Sequence, residues 1–174
     1  MSIKTTVYQG QFIHVIEENI NGVIWEKAHL KSAVIVYPFT ARGEIIFVKE
    51  YRPHETPHIR IKPVTEILEP HLSPIENANK EMQEEIGIKA NSLENILTTT
   101  VTGSLNSTQH FIAAWDLEPS KLPNPDGEDS IQEILYFSFP ELMQKVHNME
   151  IPWSLMTLGL FRLQYLMDNK KLLF

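Results

Sequence analysis

Glu81, Glu84 and Glu85 sit close together in the segment Lys80-Glu81-Met82-Gln83-Glu84-Glu85-Ile86-Gly87-Ile88. On an α-helix, residues three and four apart share one side, so the three carboxylates would face the same way. Like charges at that spacing weaken an isolated helix by about 0.2–0.5 kcal/mol per pair. A divalent cation reverses the sign, because carboxylate oxygens are the hard ligands that Mg²⁺ or Mn²⁺ takes. The plain alternative is a solvated acidic face, with Lys80 and Lys89 as its charge partners.

The residues before the triplet carry the signals that start a helix. Ser73 is an N-cap, Pro74 fits the first helical position, and Glu76 stands where a capping box needs an acid. Ile75, Ala78, Met82 and Ile86 supply an apolar stripe at helical spacing, and Gly87 supplies the left-handed stop. The pattern predicts a helix over 74–86.

The rest of the chain reads as strands with helices at the end. Residues 5–16, the Asn21-Gly22 turn and Val23–Leu30 predict an antiparallel hairpin over 5–30. The apolar run 33–39 suits a strand covered on both faces, and 45–52 returns after the turn at 41–44. Further strands are predicted at 93–101, 110–117 and 131–139, with a Pro/Asp/Gly-rich loop over 118–130. Closing helices follow at 141–148 and 154–167. This order predicts a mixed α/β sandwich with helices outside a central sheet, organised as one domain over 1–174. Within it, 1–32 forms the hairpin subdomain and 33–174 the core.

Composition narrows the function. The 174 residues are 43% hydrophobic and 21% charged, ordinary for a folded domain. A net charge of −7 and a pI near 5.5 argue against a nucleic-acid-coating protein or one held on an anionic membrane. An acidic protein that handles phosphates would need metal ions to offset the repulsion. With no cysteine, the chain has no disulfide, thiolate metal site or Cys nucleophile. The first residues lack the apolar core of a signal peptide, and no apolar run approaches a membrane span, so a cytoplasmic location is expected.

The order of residues around the triplet resembles the Nudix hydrolase signature, whose second half runs Arg-Glu-aliphatic-x-Glu-Glu-x-Gly-aliphatic. Glu81 through Ile88 match it, with Lys80 in place of the Arg. The surroundings are similar to the ADP-ribose pyrophosphatase branch. Ile46–Pro53 looks like its strand ending in Tyr-Arg-Pro, and Pro63-Val64-Thr65 like its Pro-Ala-Gly. Gly103–Ala113 resembles its later loop and strand. Three further positions depart. Counting back from Lys80 puts Glu66 where the signature has Gly and Leu72 where it has its first Glu. Ser107 stands where that branch usually has a Glu that is a candidate general base.

The resemblance implies a Nudix-type α/β/α sandwich that hydrolyses the diphosphate of a nucleoside diphosphate linked to another moiety, such as ADP-ribose. It implies Glu81, Glu84 and Glu85 as ligands of Mg²⁺ or Mn²⁺, with Glu84 and Glu85 in the catalytic set. Arg52 is the candidate phosphate contact, its alternative being an ion pair with Glu50 or Glu55. Tyr51 and Trp25 are candidate stacking partners for a base. Glu133, or Glu128 and Asp129, would replace the missing general base, and turnover would be slow. A homodimer is implied as well, joined through Phe12, Ile24 and Trp25. The alternative function is a catalytically impaired relative that binds a nucleotide.

Overall fold

The computed structural model describes residues 2–123, 130–151 and 154–172. The N-terminal segment forms β1 (Ser2–Gln9), β2 (Ile13–Ile20) and β3 (Val23–Leu30), paired antiparallel in that order. The β2–β3 hairpin turns at Asn21 and Gly22, whose φ values of 53° and 86° are those a two-residue primed turn requires. The segment expected to be one strand over 5–16 is broken at Gly10–Phe12, so a third strand is added ahead of the hairpin.

The core strands are β4 (Ala33–Pro38), β5 (Ile45–Tyr51), β6 (Ile59–Lys62), β7 (Val64–Ile67), β8 (Ile88–Val101), β9 (Leu105–Pro119) and β10 (Ile131–Phe137). The larger sheet runs β1-β2-β3-β9-β4-β7, with β8 also paired to β9, and the smaller runs β10-β5-β6. Strand β4 lies parallel to β9 and antiparallel to β7, which makes the larger sheet mixed. The meander joins this sheet through only two residue pairs, Ala28 with Leu105 and His29 with Asn106.

Alternation along β4 and β5 sorts the core into two layers. Val34, Val36, Ile46 and Val48 face the helix α1 (Pro74–Glu85), against Ala78, Met82 and Ile86. Ile35, Tyr37, Ile45 and Phe47 face the other way, toward α2 (Phe139–His147) and α3 (Ser154–Asp168) through Leu142, Met156, Leu160 and Leu163. Strand β4 is therefore covered on both faces, as its apolar run implies, and the layers form an α/β/α sandwich.

Helix α1 begins as its sequence predicts. Glu76 N donates to Ser73 Oγ at 3.3 Å and Ser73 N donates to Glu76 Oε2 at 2.8 Å, completing the capping box. Ile86 is the C-cap, and Gly87 turns the chain with φ 70°. The last strand ends two residues earlier than expected, because Ser138 caps α2 by accepting from Glu141 N. Among the described residues no helix is long and apolar enough to cross a membrane.

Candidate active site

A cleft of about 320 Å³ opens between α1, the ends of β5 and β7, and the start of β10. Six glutamates line it, Glu50, Glu66, Glu69, Glu81, Glu84 and Glu85, against the basic side chains of Lys31, Arg52 and Lys80. So many carboxylates in one depression make a strongly negative field, suited to cations and hostile to a bare phosphate.

Backbone alternation explains how the charges gather. Val48 belongs to the layer facing α1, and Glu50, two residues further along β5, continues the same face. Lys62 lies directly opposite Val48 across the β5–β6 ladder and shares that face. Glu66 lies opposite Val34, another member of the layer. The apolar face thus ends in charged residues, where α1 brings Glu81, Glu84 and Glu85 against it.

The carboxylates are buried to different effect. Glu81 has its pKa pushed up to about 9, first by burial and then by the charges of Glu85 and Glu66, with Lys62 pulling the other way. Burial raises Glu85 too, opposed by Lys62, whose Nζ donates to Glu85 Oε1 at 2.9 Å. Lys62 is 1% exposed and also lies 3.7 Å from Glu50 Oε2. Glu84 is held by Lys80 at 2.8 Å, and Lys80 bonds Glu69 at 2.9 Å. That pairing lifts the Lys80 pKa above its ordinary value. Arg52 Nε donates to Glu50 Oε2 at 2.7 Å, so the ion pair and a place on the cleft wall are compatible. Arg60 takes Glu55 instead.

The structure brings Arg52, Glu81, Glu84 and Glu85 to one cleft and leaves Glu133, Tyr51 and Trp25 outside its lining. Glu133 is 54% exposed and pairs with Lys49 at 3.5 Å. The cause is a bulge between Ile131 and Glu133, after which Glu133 stands opposite Lys49, on the face away from α1. Tyr51 is 42% exposed, edge-on to His58 with ring centroids 6.0 Å apart. Trp25 is 55% exposed on β3, away from the cleft wall. Ser107 is buried within β9, where it accepts from Gln109 Nε2 at 2.6 Å, so its position is strand rather than loop. Glu128 and Asp129 lie outside the described residues.

Sequence reasoning missed Glu50 as a cleft residue in its own right, Glu66 as more than a departure from a motif, and Lys62 altogether. The signal was present: buried-strand positions continuing an apolar face but filled by charge.

The donor set suits a divalent cation, being made of hard carboxylate oxygens. Glu85 Oε2 is buried and has no hydrogen-bond partner among the described residues, the kind of orphaned atom a cation would satisfy. The set is nonetheless not closed. Among the described residues no three acidic or imidazole groups converge as ready metal ligands, and Lys62 engages Glu85 while Lys80 engages Glu84.

The NUDIX domain family profile matches residues 29–154. The chain belongs to this family of pyrophosphohydrolases. A search of curated proteins finds no match. Among solved structures, the chain is similar to one described as the crystal structure of ADP compounds hydrolase, with TM-score 0.81 and 20% identity. The similarity covers 97% of this chain and 93% of that one, and at this identity it is a likeness of fold.

Proposed function

We propose that the protein hydrolyses the diphosphate bond of a nucleoside diphosphate linked to another moiety, with ADP-ribose or a related nucleotide sugar as substrate. The observation that carries this reading is the convergence of Glu81, Glu84 and Glu85 with Arg52 in one cleft of a Nudix fold. Glu81, Glu84 and Glu85 would hold Mg²⁺ or Mn²⁺, which when bound supplies charge neutralisation on the phosphates and lowers the pKa of a ligated water. Arg52, oriented by Glu50, contacts a phosphate oxygen. The proton of the attacking water passes to a carboxylate of the cleft. Glu66 serves this role better than Glu133, because it lines the cleft and Glu133 faces away. The description of the similar structure as an ADP compounds hydrolase agrees with an ADP-containing substrate.

The working unit is proposed to be a homodimer. The N-terminal meander exposes Ile3, Phe12, Val23, Ile24 and Trp25, more apolar surface than a three-stranded ribbon leaves open without a partner. Phe12 belongs both to this meander and to the cleft wall.

The second reading is a nucleotide-binding protein with little catalysis. It is favoured by one observation, that lysines hold Glu84 and Glu85 where ions would have to bind. A panel of nucleoside diphosphate sugars and dinucleotides, incubated with Mg²⁺ or Mn²⁺, separates the two. Release of nucleoside monophosphate from ADP-ribose supports hydrolysis. Saturable nucleotide binding without any cleavage across the panel supports the second reading.

A further inference from the structure

Lys62 stands out among the charged groups of the molecule. It ends β6, directly before Pro63, and its side chain is 1% exposed. Lysine is almost never buried this deeply without a partner, because desolvating its charge is costly. Two carboxylates surround it: Glu85 Oε1 on α1 at 2.9 Å and Glu50 Oε2 on β5 at 3.7 Å. The ammonium therefore bridges the smaller sheet and the helix behind two residues of the cleft wall, Glu50 and Glu85. Only half of Glu85 is satisfied by it, since Oε2 is buried without a hydrogen-bond partner among the described residues.

We propose that Lys62 is a built-in cation of this cleft, holding by covalent tether the charge position between Glu50 and Glu85 that a divalent ion would otherwise take. The inference deepens the divalent-cation reading of the site and rests on it. A tethered ammonium carries one charge and donates hydrogen bonds. It stabilises the carboxylates in the free protein, yet it cannot accept phosphate oxygens into a coordination sphere as a metal ion does. It also repels any cation arriving at Glu85 Oε2. The chain should thus fold without metal, and bind divalent cations more weakly than its row of carboxylates suggests.

The test compares the native chain with Lys62→Met, which keeps the length of the side chain and removes its charge. Mn²⁺ binding is followed by calorimetry, and melting temperature is read in EDTA and in Mn²⁺. The variant should melt below the native chain in EDTA, gain more from Mn²⁺ than the native chain does, and bind Mn²⁺ about tenfold tighter or more. Equal or weaker Mn²⁺ binding by a folded variant overturns the inference and leaves the divalent-cation reading standing. Absence of Mn²⁺ binding in both proteins overturns that reading, and the inference with it. Should Lys62→Met fail to fold in EDTA, recovery on refolding with Mn²⁺ supports the proposal. Failure in both conditions overturns it if Lys62→Met/Glu85→Gln, which removes the pair together, folds and binds Mn²⁺ as the native chain does.

Discussion

Arg52 Nε donates to Glu50 Oε2 at 2.7 Å, and both residues line the acidic cleft. Glu50 is buried and fixes one edge of the guanidinium, so Arg52 is oriented before substrate arrives. Arg52→Lys keeps the charge and loses the planar fork. It is expected to raise KM for a nucleoside diphosphate sugar by about tenfold, with a smaller change in kcat. Steady-state kinetics checks this, and an unchanged KM removes Arg52 from the phosphate-binding role.

On the proposed reading divalent cations bind the folded cleft and not the unfolded state, and so should stabilise the folded chain. Millimolar Mg²⁺ or Mn²⁺ is expected to raise the melting temperature of the native protein. Glu81→Gln/Glu85→Gln should lose most of that rise while keeping the far-ultraviolet circular dichroism spectrum. A rise of equal size in the double variant means that the ion binds elsewhere.

The raised pKa of Glu81 has a definite sign in stability. Its carboxyl titrates near 4.5 as the ordinary value and at about 9 in the folded, metal-free cleft. Between those values the folded chain holds a proton that the unfolded chain has released. Stability from this group is therefore full below pH 4.5 and lost as pH rises toward 9. In EDTA, the melting temperature of the native chain should fall across that window relative to Glu81→Gln, which has no proton to lose. A difference between the two that stays constant with pH contradicts the assignment.

The exposed apolar meander predicts a two-fold dimer. Light scattering at micromolar concentration should give twice the chain mass, and Ile24→Glu/Trp25→Glu should shift the protein toward monomer. Because Phe12 reaches the cleft wall, the monomeric variant should also lose activity. A native monomer at every salt concentration rules out the dimer.

How far the sequence disclosed this arrangement depended on how local each signal was. Helix α1 was legible nearly to the residue, because Ser73, Pro74, Glu76 and Gly87 act through neighbouring backbone. Strand β4 was legible because an uninterrupted apolar run needs cover on both faces. Strands β6 and β7 were not, since each is four residues long, Pro63 separates them, and Arg60, Lys62 and Glu66 disguise the apolar alternation. Glu66 lines the cleft and Lys62 pairs with its lining residues Glu50 and Glu85, so the hidden strands also hid part of the site. Glu133 lies off the cleft through register: one bulged residue turns a strand side chain to the opposite face. Strands β8 and β9 run longer than expected because they pair with each other over polar positions, Lys89 with Glu118 and Thr99 with Gln109.

The proton acceptor can be assigned by comparison of two conservative variants. Glu66→Gln is expected to lower kcat by about 10²-fold or more, and Glu133→Gln to leave it within about twofold. The reverse order would mean that the last strand moves onto the cleft during turnover.

The most direct measurement of the central claim is the time course of AMP release from ADP-ribose by the native chain in Mg²⁺ or Mn²⁺, in EDTA, and by Glu85→Gln in the same metal. The account predicts release that requires the metal and falls by about 10²-fold or more in Glu85→Gln. Release that persists in EDTA, or that proceeds unchanged in Glu85→Gln, would contradict it.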